Sequence, residues 1–226
     1  MTTLTTPPLP MLLARLFADA QATDAALDRT LAGLSDAERA TVMTSSDYRG
    51  LYSRMKDFHL AVSRETGRLL YMLVRATGAR AIVEFGTSFG ISTLHLAAAL
   101  KDNGGGRLIG TEFEPNKVVH ARENIAAAGF AGMVEIREGD ALRTLADDLP
   151  DAIDFVLLDG AKALYPGILS LVESRLHAGS LIVADNADYC PEYLVQVRSP
   201  TSGYLSVSLA GDVELSMKLN ASEAVR

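Results

Sequence analysis

Apolar positions set the first division of the chain. From Leu9, residues Leu12, Leu13, Leu16 and Phe17, then Ala26, Leu27 and Leu31, recur at three- and four-residue steps and predict a helix. The eight residues before it, rich in Thr and Pro, predict a frayed start. Ser35-Asp36-Ala37-Glu38 has the form of a capping box, and Thr44-Ser45-Ser46-Asp47 is a polar break. A mixed stretch from Tyr48 to Leu60 carries no clear period. Ser63 can cap a helix through Leu69, Leu70, Met72 and Leu73 that ends at Gly78.

After Ala81 the period changes. Short β-branched runs alternate with helical ones: strands over 81–85, 108–112, 134–137, 153–158 and 180–184, and helices over 92–100, 115–128, 141–145 and about 164–176. That alternation predicts a parallel, doubly wound sheet. The run Ile153–Leu158 is nearly all apolar, as a central strand should be. Two alternating runs, 204–209 and 213–219, flank Gly211-Asp212 and predict an antiparallel hairpin. The expected fold is therefore α/β, with seven strands, mostly parallel, ending in that hairpin, and extra helices at the N-terminus. Residues 1–77 are expected as a helical cover or lid integrated with a core over 78–226, the whole forming one structural domain.

Composition narrows the function. The chain has 226 residues, 48% of them hydrophobic, enough for one α/β core. Its net charge of -7 argues against a broad nucleic-acid surface. Cys190 is the only cysteine, and the four histidines lack zinc spacing. No signal peptide or bilayer-length apolar run is read, so the cytoplasm is the expected compartment.

In an open α/β sheet, ligands sit beyond the carboxyl ends of the strands. The first strand ends in Glu84-Phe85-Gly86-Thr87-Ser88-Phe89-Gly90-Ile91-Ser92, a glycine-containing turn into a helix. Its spacing is not that of a dinucleotide fingerprint. A tight turn with no ligand is its plain alternative. The next strands end in Glu112, in Glu138-Gly139-Asp140, in Asp159 and in Asp185-Asn186. Glu112 can accept both hydroxyls of a ribose, with Glu114 a competitor. Asp140 can accept an adenine amino group, or cap the following helix. Asp159, Asp185 and Asn186 are hard oxygen donors suited to Mg²⁺, or else a helix cap and a turn. Beside such a cation, Lys162 can take a proton from a hydroxyl.

Taken together, Val83–Ser92, Leu108–Glu112, Val156–Lys162 and Ile182–Asn186 resemble the cation-dependent, S-adenosylmethionine-dependent small-molecule O-methyltransferases, the catechol and caffeoyl-CoA group. The resemblance runs from about Val62 to Leu219. It implies a Rossmann-like class I methyltransferase fold. It also implies roles. Gly86 and Ser92 would hold the methionine end of the cofactor, lined by Val62 and Ser63, with Glu84, Thr87 and Gly90 in the same turn. Glu112 would bind the ribose, and Asp140 with Ala141 the adenine. Asp159, Asp185 and Asn186 would hold the cation, Asp159 also bordering the cofactor, and Lys162 would be the general base. A small-molecule acceptor and a homodimer follow from the same likeness.

This chain also departs from the pattern. Ala161 stands where caffeoyl-CoA types carry a second Asp, and Gly160-Ala161 lacks the bulky aromatic wall of the catechol type. There is no tryptophan. Tyr165, Tyr189, Tyr193, Met43 and Met55 are candidates for lining the acceptor, with core packing the plainer role of each. No acidic residue after Asn186 can be set opposite the metal. Alternatives are a metal-independent small-molecule methyltransferase and a non-catalytic S-adenosylmethionine-binding protein. The turn spacing and Asp185-Asn186 speak against a nicotinamide oxidoreductase. The loop Asp159–Lys162 speaks against a nucleic-acid methyltransferase.

Overall fold

A computed structural model of the chain describes residues 1–35, 38, 41, 47–209 and 212–220, apart from the side chains of 26, 28, 30 and 31. Seven strands form one sheet in the order β3-β2-β1-β4-β5-β7-β6. They are β1 (Ala81–Phe85), β2 (Arg107–Glu112), β3 (Val134–Glu138), β4 (Ile153–Leu158), β5 (Leu176–Ala184), β6 (Tyr204–Leu209) and β7 (Val213–Lys218). The first five are parallel, and β7 pairs antiparallel with both β5 and β6. The sheet reverses between β1 and β4, which opens a crevice at their carboxyl ends.

Helices cover both faces: α1 (Leu9–Ala32), α2 (Tyr48–Arg54), α3 (Arg64–Thr77), α4 (Ile91–Asp102), α5 (Pro115–Ala127), α6 (Ala141–Thr144), α7 (Tyr165–Val172) and α8 (Pro191–Arg198). Alternate strand residues supply the two cores. Ile82, Leu108, Leu157 and Val183 pack under α1, α3, α4 and α5. Val83, Ile109, Leu158 and Ala184 pack under α6, α7 and α8. Helix α4 is buried along nearly its whole length because α1 and α3 lie over it. Among the described residues no helix is long and apolar enough to cross a membrane.

Several expectations shift. The N-terminal residues are not frayed: Thr3–Thr5 forms a 3-10 turn, and the Thr3 N–H and hydroxyl both donate to the Asp102 carboxylate. The capping box is present, with Ser35 N donating to Glu38 Oε2 at 2.8 Å and Glu38 N to Ser35 Oγ at 3.3 Å. The helix expected over 164–176 stops at Val172, and Leu176 opens β5 instead. There Ser180 Oγ takes the His177 N–H and donates to Ile153 O, and Gly179 adopts φ +90°, so the strand begins four residues early. Helices α2 and α8 had no counterpart in the pattern.

Candidate active site

The carboxyl ends of β1 and β4 are locked together. Asp159 N donates to Phe85 O at 2.8 Å, and Asp185 N to Leu158 O at 2.9 Å. Gly86 sits in this seam with φ +100°. A Cβ there would lie 2.5 Å from Asp159 O, so only glycine fits.

Three lined spaces meet above the seam. A narrow cleft runs past Tyr52, Phe85, Gly86, Glu112, Asp140 and Ala141. A small recess is bounded by His59, Val62, Gly86, Thr87, Ser88 and Ser92. A cavity of about 590 Å³ is lined by Tyr52, Val62, Ser63, Lys162, Asp185 and Asn186, among others, within the range of small-molecule sites. Asp159 and Leu60 border all three. Leu60 holds φ +48°, a costly conformation for a leucine, at the point where the spaces join.

Lys162 is 3% exposed. Its Nζ donates to Asp159 Oδ1 at 3.2 Å and to the Tyr165 hydroxyl at 2.9 Å, and that hydroxyl donates to Asp185 O at 2.8 Å. Burial pushes the Asp159 carboxyl above its usual range, with Lys162 opposing the shift. Burial, then the charge of Asp159, pushes Asp185 up as well. Asn186 reaches the cavity from a left-handed turn, φ +49°, a conformation asparagine tolerates.

The other expected residues divide. Glu112 lines the cleft with its carboxylate fixed by Ser88 N at 2.7 Å and Glu114 N at 2.8 Å. Glu84 lies one layer deeper. It is fully buried and accepts from Ser92 Oγ at 2.6 Å, Thr93 Oγ1 at 2.5 Å and Thr87 Oγ1 at 3.0 Å. Burial pushes it up to about 7. Gly90 caps α4 with φ +91°, and a Cβ there would lie 3.7 Å from Ala121 of α5, an ordinary packing distance. Asp140 both caps α6, through Leu142 N at 3.1 Å, and pairs with Arg49 of α2 at 2.5 Å. Ser63 caps α3 through Thr66 N at 2.9 Å and lines the large cavity, whereas Val62 borders both that cavity and the recess.

The aromatic wall comes from elsewhere. Phe85 fills the space a side chain at Gly160 would take, 2.5 Å from such a Cβ, and Tyr48 and Tyr52 of α2 close the cleft. Tyr189 and Met55 line the large cavity, while Tyr165 and Tyr193 are fully buried. Met43 lies outside the described residues. An acid after Asn186 is present too: Asp212, at the β6–β7 turn, lines the large cavity, and its charge helps raise Asp185. The Gly211-Asp212 pair signalled a turn, and nothing in its spacing pointed back to the site.

This geometry agrees with the comparisons to known proteins. A family model described as O-methyltransferase matches residues 42–209. The chain belongs to the O-methyltransferase family. A catechol O-methyltransferase of Mycobacterium tuberculosis is 34% identical over 163 residues, 72% of this chain and 70% of that protein. A catechol O-methyltransferase of Niastella koreensis is 35% identical over 130 residues, 56% of this chain. The chain spans 58% of that relative's length, less than two thirds. An O-methyltransferase from Bacillus cereus, solved in complex with SAH, shares the fold with a TM-score of 0.65 at 21% identity, covering 86% of this chain and 97% of its own. The family is that of S-adenosylmethionine-dependent enzymes acting on oxygen.

Proposed function

We propose that the protein transfers the methyl group of S-adenosylmethionine to a hydroxyl of a small aromatic vicinal diol, assisted by a divalent cation. The observation that carries this is the junction of three lined spaces at Asp159, with Lys162 buried against that carboxylate. The adenosyl part belongs in the cleft, where Glu112 accepts from the ribose and Asp140 and Ala141 border the adenine. The methionine part belongs in the recess of Gly86, Thr87, Ser92 and Val62. Glu84 and Gly90 support that turn from below and behind, Glu84 holding Ser92 and Thr87 in place. The acceptor belongs in the large cavity.

The donor set fits a divalent cation. Among the described residues no three His, Cys, Asp or Glu side chains form a metal group, so the set is two carboxylates with the Asn186 amide as third donor. Both carboxylates are raised by burial, and the charge of Asp159 raises Asp185 further. A hard dication would relieve that repulsion. Asp159, Asp185 and Asn186 would hold it. When bound, it lowers the energy of negative charge on a phenolic oxygen. As the neutral amine, Lys162 Nζ keeps one N–H toward Asp159 and one toward Tyr165, and its lone pair would take the proton of the acceptor hydroxyl. Leu60, Met55 and Val62 keep water from that face of the cavity. The rest of the rate comes from holding oxygen and methyl in line. A homodimer in the cytoplasm completes the proposal by analogy with the resembling family.

The test is calorimetric titration of S-adenosylmethionine, followed by methyl transfer to catechol with Mg²⁺ or EDTA. Cofactor binding with turnover abolished by EDTA is expected. Turnover indifferent to EDTA would remove the metal role from Asp159, Asp185 and Asn186. Absence of cofactor binding would overturn the proposal whole.

A further inference from the structure

Two charged groups line the narrow cleft and are not used by the chemistry above, Glu114 and Lys117. Lys117 lies in the first turn of α5 and lines the cleft with 3% of its surface exposed. Two physical effects oppose it there. Burial strips the ammonium of water. The start of a helix carries the positive end of its dipole, which favours acids. No hydrogen bond or ion pair among the described residues offsets these costs. The contact recorded for Nζ is the Phe89 ring, 5.8 Å from its centroid. Glu112, Asp24, Glu114 and Asp57 attract Lys117 only at a distance, Asp24 being taken by His59 N and Asp57 by Lys56. The other two carboxylates are engaged as well, Glu112 by two backbone N–H groups and Glu114 by Ser53 Oγ at 2.6 Å.

A buried ammonium with no acceptor, facing a cleft, is a donor shaped for a ligand oxygen. Its neighbour Glu112 can only accept. A ribose hydroxyl both donates and accepts, so the pair matches it from two sides. We propose that Lys117 is a cofactor-binding residue, donating from Nζ to a ribose hydroxyl oxygen whose own O–H donates a hydrogen bond to Glu112. This rests on the adenosyl assignment of the cleft. It has an electrostatic corollary. The sulfonium of the methyl donor is cationic and the thioether of the product is not, so a cation in the same cleft disfavours donor relative to product.

The experiment is a double-mutant cycle between protein and ligand. S-adenosylhomocysteine and its 2′-deoxy and 3′-deoxy ribose analogues are titrated into the wild type and Lys117→Met. Lys117→Met should weaken S-adenosylhomocysteine roughly tenfold. One deoxy analogue should bind both proteins alike, so the losses do not add. S-adenosylmethionine should lose less than S-adenosylhomocysteine, since the repulsion goes with the charge. Lys117→Leu also removes the donor, and carries the same cycle if the Met variant does not fold. Additive losses with both analogues, in a wild type that binds S-adenosylhomocysteine, would overturn the role of Lys117 alone. A wild type that binds none of these ligands would overturn the assignment of the cleft, and Lys117 with it.

Discussion

Glu84 shows how a side chain can serve a cleft without touching it. Its carboxyl gathers the hydroxyls of Thr87, Ser92 and Thr93 and so shapes the turn above. Burial pushes it up to about 7, whereas the unfolded chain titrates near 4.5. Between those two values the fold keeps a proton that the unfolded chain has released. Stability therefore falls as pH rises through this window and levels off above it. Glu84→Gln removes this share of the slope, about 3 kcal/mol between pH 5 and pH 8. Urea midpoints of wild type and variant at the two pH values measure it. Identical slopes would mean that Glu84 is ionised in the fold. The placement of Asp159 and Lys162 was legible in the sequence because the sheet delivers both to one edge, even though a helix cap stood open as the other use of Asp159. Depth was not legible. Glu84 and Gly90 belong to the same motif as Gly86, yet strand pleat turns Glu84 inward, and α5 occupies the far side of Gly90.

At the scale of elements, α2 is the piece that closes the narrow cleft. It reaches three loops at once: Arg49 to Asp140, Ser53 to Glu114, and the Tyr52 hydroxyl to Gly160 O at 3.4 Å. These contacts differ in kind. The Arg49 side chain is 53% exposed, and solvent screens such a pair. Tyr52 lines both the cleft and the large cavity, and burial pushes its phenol well up. Tyr52→Ala should therefore speed cofactor release about tenfold or more, and Arg49→Ala less than about fivefold. Stopped-flow displacement of S-adenosylhomocysteine measures both, and equal effects would mean that charge, not the ring, holds the helix down. The strands were legible because each is a short apolar or alternating run bounded by turn residues, from the all but continuous β4 to the alternating β6 and β7. The helix α2 was not, since its seven residues bury only Leu51 fully and its cap, Asp47 accepting Gly50 N at 3.1 Å, hid in a polar break. Likewise α8 offers only Tyr193 and Val197 as a four-residue step.

Across the whole molecule, the question is whether the N-terminal segment is an accessory or part of the body. The family match begins at residue 42, which would make residues 1–41 dispensable. The contacts argue otherwise. Leu9, Leu12, Leu13 and Leu16 of α1 are buried in the same core as α3 and α4. Asp102 at the end of α4 takes bonds from both Thr3 and Tyr71, tying the segment to α3 and α4. At its other end α1 reaches the site: Asp24 accepts from His59 N at 2.7 Å, and Asp24 and Leu27 line the large cavity. At roughly 1.5 kcal/mol or more per leucine, the four fall within the about 5–15 kcal/mol by which a whole domain is stable. A chain begun at Val42 should therefore be insoluble or melt more than about 10 °C lower. Asp24→Ala should keep a melting temperature near that of the wild type, because its loss exposes no core. It should instead raise the KM for a catechol, since it removes a wall residue and loosens the His59 loop that carries Leu60. A truncated chain with the full melting temperature and full turnover would make the segment an accessory after all.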